Sequence, residues 1–133
     1  MSDVIEQELL DLSQRLLDSI DEQNWPAYTE LCDPTLTAYE PEALGQLVVG
    51  MPFHEFYFKL PGSGRAKQSS ITSPQVRLMG DVAVITYVRL VQRIDGEGRV
   101  GTVGHEETRV WQKQDGNWQH VHFHRSTCGN VQL

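Results

Sequence analysis

The stretch that indicates the fold most strongly is EETRVWQKQDGNWQHVHFHRS, residues 106–126. The dipeptide Asp115-Gly116 lies in its middle and favours the tight turn of a β-hairpin. On either side, residues of contrasting character alternate, as they do in a strand whose successive side chains point to opposite faces. We therefore predict two antiparallel strands joined by a turn at these two residues.

The strand after this turn is predicted to have two distinct faces. On simple alternation, one face holds Trp118, His120, His122 and His124, and the other holds Val121, Phe123 and Arg125. Three histidines two residues apart can supply imidazoles to zinc, but no Asp or Glu of this strand completes a ligand set. We favour a half-buried sheet face or a contact between subunits, and we predict no metal site.

Similar strand signals occur upstream of the hairpin. From Gln68 onward, β-branched runs are separated by turn sequences at residues 80–81, 95–98 and 115–116. Turn residues spaced in this way between alternating runs predict four strands of an antiparallel meander.

The first half of the chain carries helical signals instead. Apolar residues recur every three or four positions between residues 2 and 23 and mark one face of an amphipathic helix. Pro26 is placed as an early residue of a second, short helix that ends before Cys32. We expect a short strand at residues 36–39 and an aromatic-rich helix at residues 52–58. Helices followed by a meander predict an α+β fold, in which a curved antiparallel sheet wraps around the long N-terminal helix.

Composition and charge restrict the classes of function. The chain has 133 residues, 39% of them hydrophobic, which suits a single domain over residues 1–133. Its net charge of -7 repels phosphate backbones and acidic membranes, so we expect neither nucleic acid nor a membrane as a partner.

Cys32 and Cys128 match neither a zinc motif nor a disulfide framework. An acidic N-terminus and the lack of a long apolar segment predict a cytoplasmic protein.

Three arginines are predicted to meet on the concave side of the sheet. Arg89, Arg109 and Arg125 fall on three adjacent strands, and they share one face if the parities of the three strands match. A buried arginine keeps its charge and therefore needs an anion beside it. Glu107 is the internal candidate, and one carboxylate cannot neutralise three guanidinium groups.

Two accounts of these arginines are open at this point. In the structural account, they pair with Glu107, with other acids of the fold and with backbone carbonyls, and they hold the strands in register. In the functional account, their surplus positive charge forms a pocket for a small carboxylate or phosphate, which guanidinium groups bind through paired hydrogen bonds.

Three longer stretches carry a resemblance to a known family. They are CDPTLTAYEPEALGQLVVGMPFHEFYF at 32–58, TYVRLVQRIDGEGR at 86–99 and EETRVWQKQDGNWQHVHFHRS at 106–126. In order and spacing they resemble the association domain, or hub, of calcium/calmodulin-dependent protein kinase II, and a similar first helix extends the resemblance over nearly the whole chain. It implies the cone-shaped α+β fold shared with nuclear transport factor 2 and the SnoaL-like proteins. It also implies an oligomerisation hub whose copies dimerise and close into a ring that holds kinase domains together.

The resemblance further implies a ligand. The inner cavity of the family accepts small carboxylates such as hydroxybutyrate-like acids. The positions of this chain that match the cavity and its surroundings are His54, Tyr57, Arg89, Glu107, Arg109 and Arg125. The resemblance and the strand alternation therefore point to the same pocket.

Some features of the chain depart from the family. The segments at residues 59–71 and 100–105 differ from the usual hub sequence, which leaves the number of subunits open. The sequence has no kinase catalytic motif and no basic amphipathic segment typical of a calmodulin target. It therefore fits either an excised domain or a stand-alone relative.

An enzyme is the alternative interpretation. The same fold class includes isomerases and dehydratases that move a proton with a carboxylate or histidine base. His54 and Glu107 are the candidate bases, and Tyr57 or Tyr87 is the candidate donor to a developing oxyanion. A carboxylate beside several arginines has a lowered pKa and is a poor base near neutrality. We therefore predict binding rather than catalysis, with no catalytic residue and no cofactor.

Overall fold

The computed structural model describes residues 2–132 of the chain. Its helices are α1 (Ser2–Asp21), α2 (Trp25–Leu31) and α3 (Pro52–Phe58), and a 3-10 turn spans Pro41–Ala43. Its strands are β1 (Cys32–Tyr39), β2 (Val48–Val49), β3 (Lys67–Met79), β4 (Val82–Ile94), β5 (Val100–Gln114) and β6 (Asn117–Thr127). No helix within residues 2–132 is long and apolar enough to cross a membrane.

The predicted amphipathic helix is present as α1. Its apolar stripe buries Leu9, Leu16 and Leu17 completely. Full burial of a leucine side chain stabilises a fold by about 1.5–3 kcal/mol relative to exposure. The helix packs against β3 and α2, so that its apolar face and the inner face of the sheet form one core.

The short helix α2 begins and ends where local chemistry favours it. The Asn24 side chain accepts a hydrogen bond from the Ala27 amide at 3.2 Å, which satisfies one of the free N–H groups of the first turn. Pro26 occupies that same turn, where its missing N–H is not needed. The helix ends at Leu31 because Cys32 takes extended backbone and begins β1.

The strands form one curved sheet in the order β2-β1-β6-β5-β4-β3. β3 to β6 pair antiparallel with their neighbours along the chain, which confirms the meander. β1 runs parallel to β6 and β2 pairs antiparallel with β1, so the sheet is mixed rather than wholly antiparallel. The pairing of Tyr39 with His124 places the start of the segment after β1 beside Arg125.

The hairpin turn between β5 and β6 is the one predicted from its dipeptide. Asp115 and Gly116 have φ angles of 50° and 83°. Two successive residues in this left-handed region define the turn whose twist matches that of paired strands. Gly adopts this conformation freely, and Asp tolerates it better than most residues do.

A β-bulge interrupts β6 at Val121. The register pairs Val110 with His122 and Trp111 with His120, which leaves Val121 without a partner residue on β5. One extra residue shifts the alternation by one position, so the side chains before the bulge change faces relative to those after it.

The prediction that Trp118, His120, His122 and His124 share one face is therefore wrong. Trp118 and His120 are 7% and 0% exposed and lie on the inner face with Phe123. Beyond the bulge, His122 is half-buried on the outer face and His124 is exposed. The simple alternation fails here because a bulge leaves no sign in the pattern of residue types.

Candidate functional site

A cavity of about 400 Å³ lies on the inner face of the sheet. β4, β5 and β6 contribute Arg89, Arg109 and Arg125 to its walls, so the predicted convergence of three arginines is present. The short helix α3 contributes His54 and Tyr57. The apolar part of the wall is formed by Ile20, Tyr28, Phe58, Val91, Val103 and Phe123.

Glu107 lies beneath the cavity and is not part of its lining. Arg109 donates to Glu107 Oε1 through Nη2 at 2.9 Å and through Nε at 3.1 Å, and the two side chains are 1% and 0% exposed. Tyr87 Oη donates to the same oxygen at 2.7 Å and accepts from Arg109 Nε at 2.8 Å. The guanidinium also packs over the ring of Phe123, 4.4 Å from its centroid. The charge of Arg109 is thus compensated inside the protein.

These contacts fix the protonation state of Glu107. Burial raises the pKa of Glu107, but the charges of Arg109 and Arg89 outweigh burial and bring the pKa down to about 2. Burial raises the pKa of Tyr87 well above its ordinary value, so its hydroxyl remains a donor. A carboxylate that binds a proton so weakly is a poor general base near neutral pH. The arrangement therefore disfavours the enzyme alternative in which Glu107 is the base.

Arg89 connects the end of α1 to the sheet. Its Nη2 donates to Asp21 Oδ1 at 2.9 Å, its Nε donates to Ser69 Oγ at 2.8 Å, and its Nη1 lies 3.5 Å from Glu107 Oε2. Asp21 is the last residue of α1, where the partial negative charge of the helix C-terminus disfavours a carboxylate. Arg89 offsets that unfavourable placement, so this arginine has a structural role.

Arg125 has a more exposed partner. Its Nη2 donates to both carboxylate oxygens of Glu42, in the 3-10 turn that follows β1. The side chains of Arg125 and Glu42 are 14% and 38% exposed. Burial raises the pKa of Glu42, but the hydrogen bond and the charge of Arg125 outweigh it and hold the pKa below its ordinary value. Glu42 is therefore ionised at neutral pH.

His54 and Tyr57 differ in their surroundings. His54 Nε2 lies 2.9 Å from Glu40 Oε2, and both side chains are almost completely buried. Tyr57 lines the cavity and is 40% exposed, so its hydroxyphenyl group is accessible to solvent. Of the six site residues predicted from the sequence, all but Glu107 line the cavity.

Several charged groups around the cavity were missed by sequence reasoning. Asp21, Glu40 and Glu42 are the carboxylates that the arginines and His54 contact, and Lys67 and Arg93 are two further cations in the lining. Around the cavity there are thus five cationic side chains and four carboxylates. The cations are Lys67, Arg89, Arg93, Arg109 and Arg125, and the carboxylates are Asp21, Glu40, Glu42 and Glu107. These partners come from segments far apart in the sequence, so no local spacing marks them.

His120 is buried in a polar contact of its own. Arg109 Nη1 lies 3.4 Å from His120 Nε2 and must donate to it, because a guanidinium has no acceptor. The ring proton is therefore on Nδ1, which faces Cys32 Sγ at 3.6 Å. Burial, followed by the charge of Arg109, lowers the pKa of His120 well below its ordinary value. This histidine is neutral in the folded protein.

The other two histidines of β6, His122 and His124, have partners different from those of His120. His122 bonds to Thr37 Oγ1 at 2.7 Å across the β1–β6 pair, and His124 is exposed beside Tyr39. Within residues 2–132, no group of three or more His, Cys, Asp or Glu side chains is placed to hold a metal ion.

Comparison with known sequences identifies relatives over nearly the whole chain. The family model described as the calcium/calmodulin dependent protein kinase II association domain matches residues 5–129. The delta subunit of calcium/calmodulin-dependent protein kinase type II from Oryctolagus cuniculus is 50% identical over 130 residues, which cover 96% of this chain and 24% of that subunit. The chain thus spans about a quarter of the length of the curated relatives it matches.

Comparison with solved structures supports the same assignment. The association domain of C. elegans CaMKII superposes with a TM-score of 0.89 at 40% identity, covering 94% of this chain and 97% of that one. An NTF2-like superfamily protein from Salmonella enterica superposes with a TM-score of 0.81 at 20% identity, covering 100% of this chain and 97% of that one, and it shares the fold. The predicted nuclear transport factor 2-like α+β fold is therefore confirmed. The chain belongs to the calcium/calmodulin-dependent protein kinase II association domain family.

Proposed function

We propose that this chain is an oligomerisation hub that assembles many copies into a closed ring. Family membership over residues 5–129 carries the proposal, since solved relatives are described as CaMKII association domains and hubs. A closed ring satisfies every contact surface of its subunits, which an open chain of subunits does not. Where such a hub is joined to a kinase domain, the ring would hold several kinase domains close to one another.

The outer face of the sheet supports self-association. A sheet with one face on the core and the other in water normally alternates between apolar and polar residues. Residues 82–91 read VAVITYVRLV, and neither parity of this run is consistently polar. The outward side chains are half-buried and mostly aliphatic or β-branched, namely Val84, Thr86, Val88 and Leu90. We infer that a second copy of the chain covers this face.

A single substitution that introduces a charge tests whether the outer face is a contact between copies. Val88→Lys places an ammonium group in the middle of the face, where association would remove it from water, so the assembled mass should fall. Val100→Lys is the matched control, because it makes the same change at a position that is 80% exposed. Light scattering after size-exclusion chromatography, at several protein concentrations, gives the masses. An unchanged mass for Val88→Lys would reject this face as the contact.

We also propose that the cavity binds a small carboxylate. The support is the surplus of cationic side chains around an apolar wall, which suits an anion with a short carbon chain. Arg89 and Arg109 already contact buried carboxylates, so Arg125 is the arginine best placed to accept the ligand.

Calorimetry with hydroxybutyrate as the probe tests this assignment. The acid should bind and its neutral amide should not, because the amide lacks the charge that pairs with guanidinium. Arg125→Gln should weaken binding of the acid without preventing folding, since Arg125 is at the edge of the buried network. Failure of the acid to bind at millimolar concentration would reject the cavity as an anion site.

A further inference from the structure

The three arginine pairs around the cavity differ in how deeply their carboxylates are buried. The side chains of Asp21 and Glu107 are 3% and 0% exposed, whereas that of Glu42 is 38% exposed. A buried carboxylate that loses its arginine remains as an uncompensated charge in a medium that solvates it poorly. Glu42 would instead be hydrated by water as it leaves. Of these three pairs, the one made by Glu42 is therefore the one that can open.

The backbone around Glu42 forms a short turn that ends in two residues with left-handed angles. The 3-10 turn ends at Leu44, which has a left-handed φ of 52° and is 88% exposed, and Gly45 follows with φ of 90°. Backbone hydrogen bonds within the turn connect neighbouring positions, as from the Ala43 amide to the Glu40 carbonyl at 3.1 Å. A short turn held mainly by local bonds can open without disrupting the sheet.

Arg125 uses only one of its three guanidinium nitrogens in its contact with Glu42. Both carboxylate oxygens of Glu42 are bonded to Nη2, and among residues 2–132 no partner is found for Nε or Nη1. A second carboxylate at those donors would lie within a few ångströms of the Glu42 carboxylate. Two like charges this close in a half-buried site repel each other strongly. Glu42 and an external carboxylate therefore compete for Arg125.

We propose that Glu42 is an internal substitute for the ligand carboxylate: an anion that enters the cavity takes its place on Arg125, and the turn at residues 41–45 swings outward. This inference rests on the proposed function of the cavity as an anion site. The exchange makes Glu42 a specificity-determining residue. A ligand must supply its own negative charge to replace that of Glu42, and a neutral ligand of the same shape leaves Arg125 occupied.

Glu42→Gln tests the competition directly, because it keeps the size of the side chain and removes its charge. Calorimetry should show hydroxybutyrate binding about two- to fivefold more tightly to this variant than to the natural chain, the scale expected for releasing one half-exposed ion pair. Glu97→Gln is the matched control, since Glu97 pairs with Arg99 on an exposed hairpin and its side chain is 71% exposed. The affinity of that variant should not change.

The outcomes of this titration are distinguishable. Equal or weaker binding to Glu42→Gln, with normal binding to the natural chain, would overturn the exchange and leave the anion site intact. Absence of binding to every variant would overturn the exchange together with the proposed function.

Hydrogen exchange provides a second measurement, because binding without the exchange of carboxylates would not speed amide exchange in the turn. Hydroxybutyrate should speed exchange of the Leu44 and Gln46 amides while it slows exchange in the walls of the cavity. The neutral amide should do neither. Slower exchange at Leu44 and Gln46 on addition of the acid would contradict the proposal.

Discussion

Arg109 and Glu107 lie two residues apart on β5 and meet at 2.9 Å on the inner face of the sheet. Alternation places both side chains on the same face, and neither is more than 1% exposed. The pair is therefore a fixed part of the core. Its geometry supports the structural account of Arg109, in which an internal carboxylate compensates a buried cation.

Removal of Arg109 should destabilise the fold whether or not a ligand is present. Arg109→Ala leaves the Glu107 carboxylate buried without its main partner, which we expect to lower the free energy of unfolding by about 3–5 kcal/mol. Urea unfolding at one protein concentration measures this loss. Arg99→Ala, which removes an exposed arginine, should have little effect. Equal stability of both variants would contradict the structural role.

His120 should make the fold sensitive to mild acid. Its pKa is lowered in the folded protein by burial and by Arg109, so the unfolded chain binds more protons once the pH falls below about 6.5. Stability is therefore retained above that pH and lost below it, by up to about 1.4 kcal/mol per pH unit for one proton. Arg109 does not titrate in this pH range, and burial raises the pKa of Cys32 to about 12, so neither of these two neighbours of His120 contributes to the loss.

The variant His120→Gln isolates this effect from the other histidines. His105 and His122 also have lowered pKa values, so they add to the same acid sensitivity in every variant. The pH dependence of unfolding between pH 6.5 and 5 should be flatter for His120→Gln than for the natural chain, since glutamine binds no proton. Parallel curves for the two proteins would mean that His120 is charged in the fold.

Glu107 should govern stability in stronger acid. Its pKa of about 2 lies below the value of about 4.3 expected in the unfolded chain. The stability that Glu107 contributes is therefore fully present when the pH is above its unfolded pKa, and it is lost as the pH falls toward 2. Glu107→Gln should be less stable at neutral pH but lose less on acidification from pH 4.5 to 3. A steeper loss in the variant would contradict the lowered pKa.

Cys32 should not react with alkylating reagents in the folded protein. It is 3% exposed, and burial raises its pKa to about 12, so almost none of the nucleophilic thiolate is present at pH 8. Peptide mass mapping after iodoacetamide treatment should find Cys32 unmodified in buffer and modified in urea. Fast modification in buffer would mean that β1 opens.

Alternation predicted the inner face of β4 and β5 correctly for a physical reason. The register between these strands runs without a shift from Val82 to Ile94, so every second side chain keeps its face and Arg89 and Arg109 converge. The turn at Asp115 was equally predictable, because few residues tolerate its backbone conformation. Long uninterrupted pairing and special backbone angles both leave a local signal in the sequence.

The same reasoning failed where the signal is not local. The bulge at Val121 inserts one residue without changing the residue types around it, which reversed the face predicted for His120. The carboxylates of Asp21 and Glu42 reach the arginines from segments 68 and 83 positions away. Only the folded chain brings them together, so the balance of charge in the cavity could not be worked out from the sequence.

Native mass spectrometry of the chain at neutral pH, over a range of concentrations, tests the hub proposal most directly. A closed ring predicts one discrete species of many subunits, with a mass that is a multiple of 15.1 kDa and that persists on dilution. The mass would also give the number of subunits in the ring. A monomer or a simple dimer at every concentration would rule out assembly into a ring.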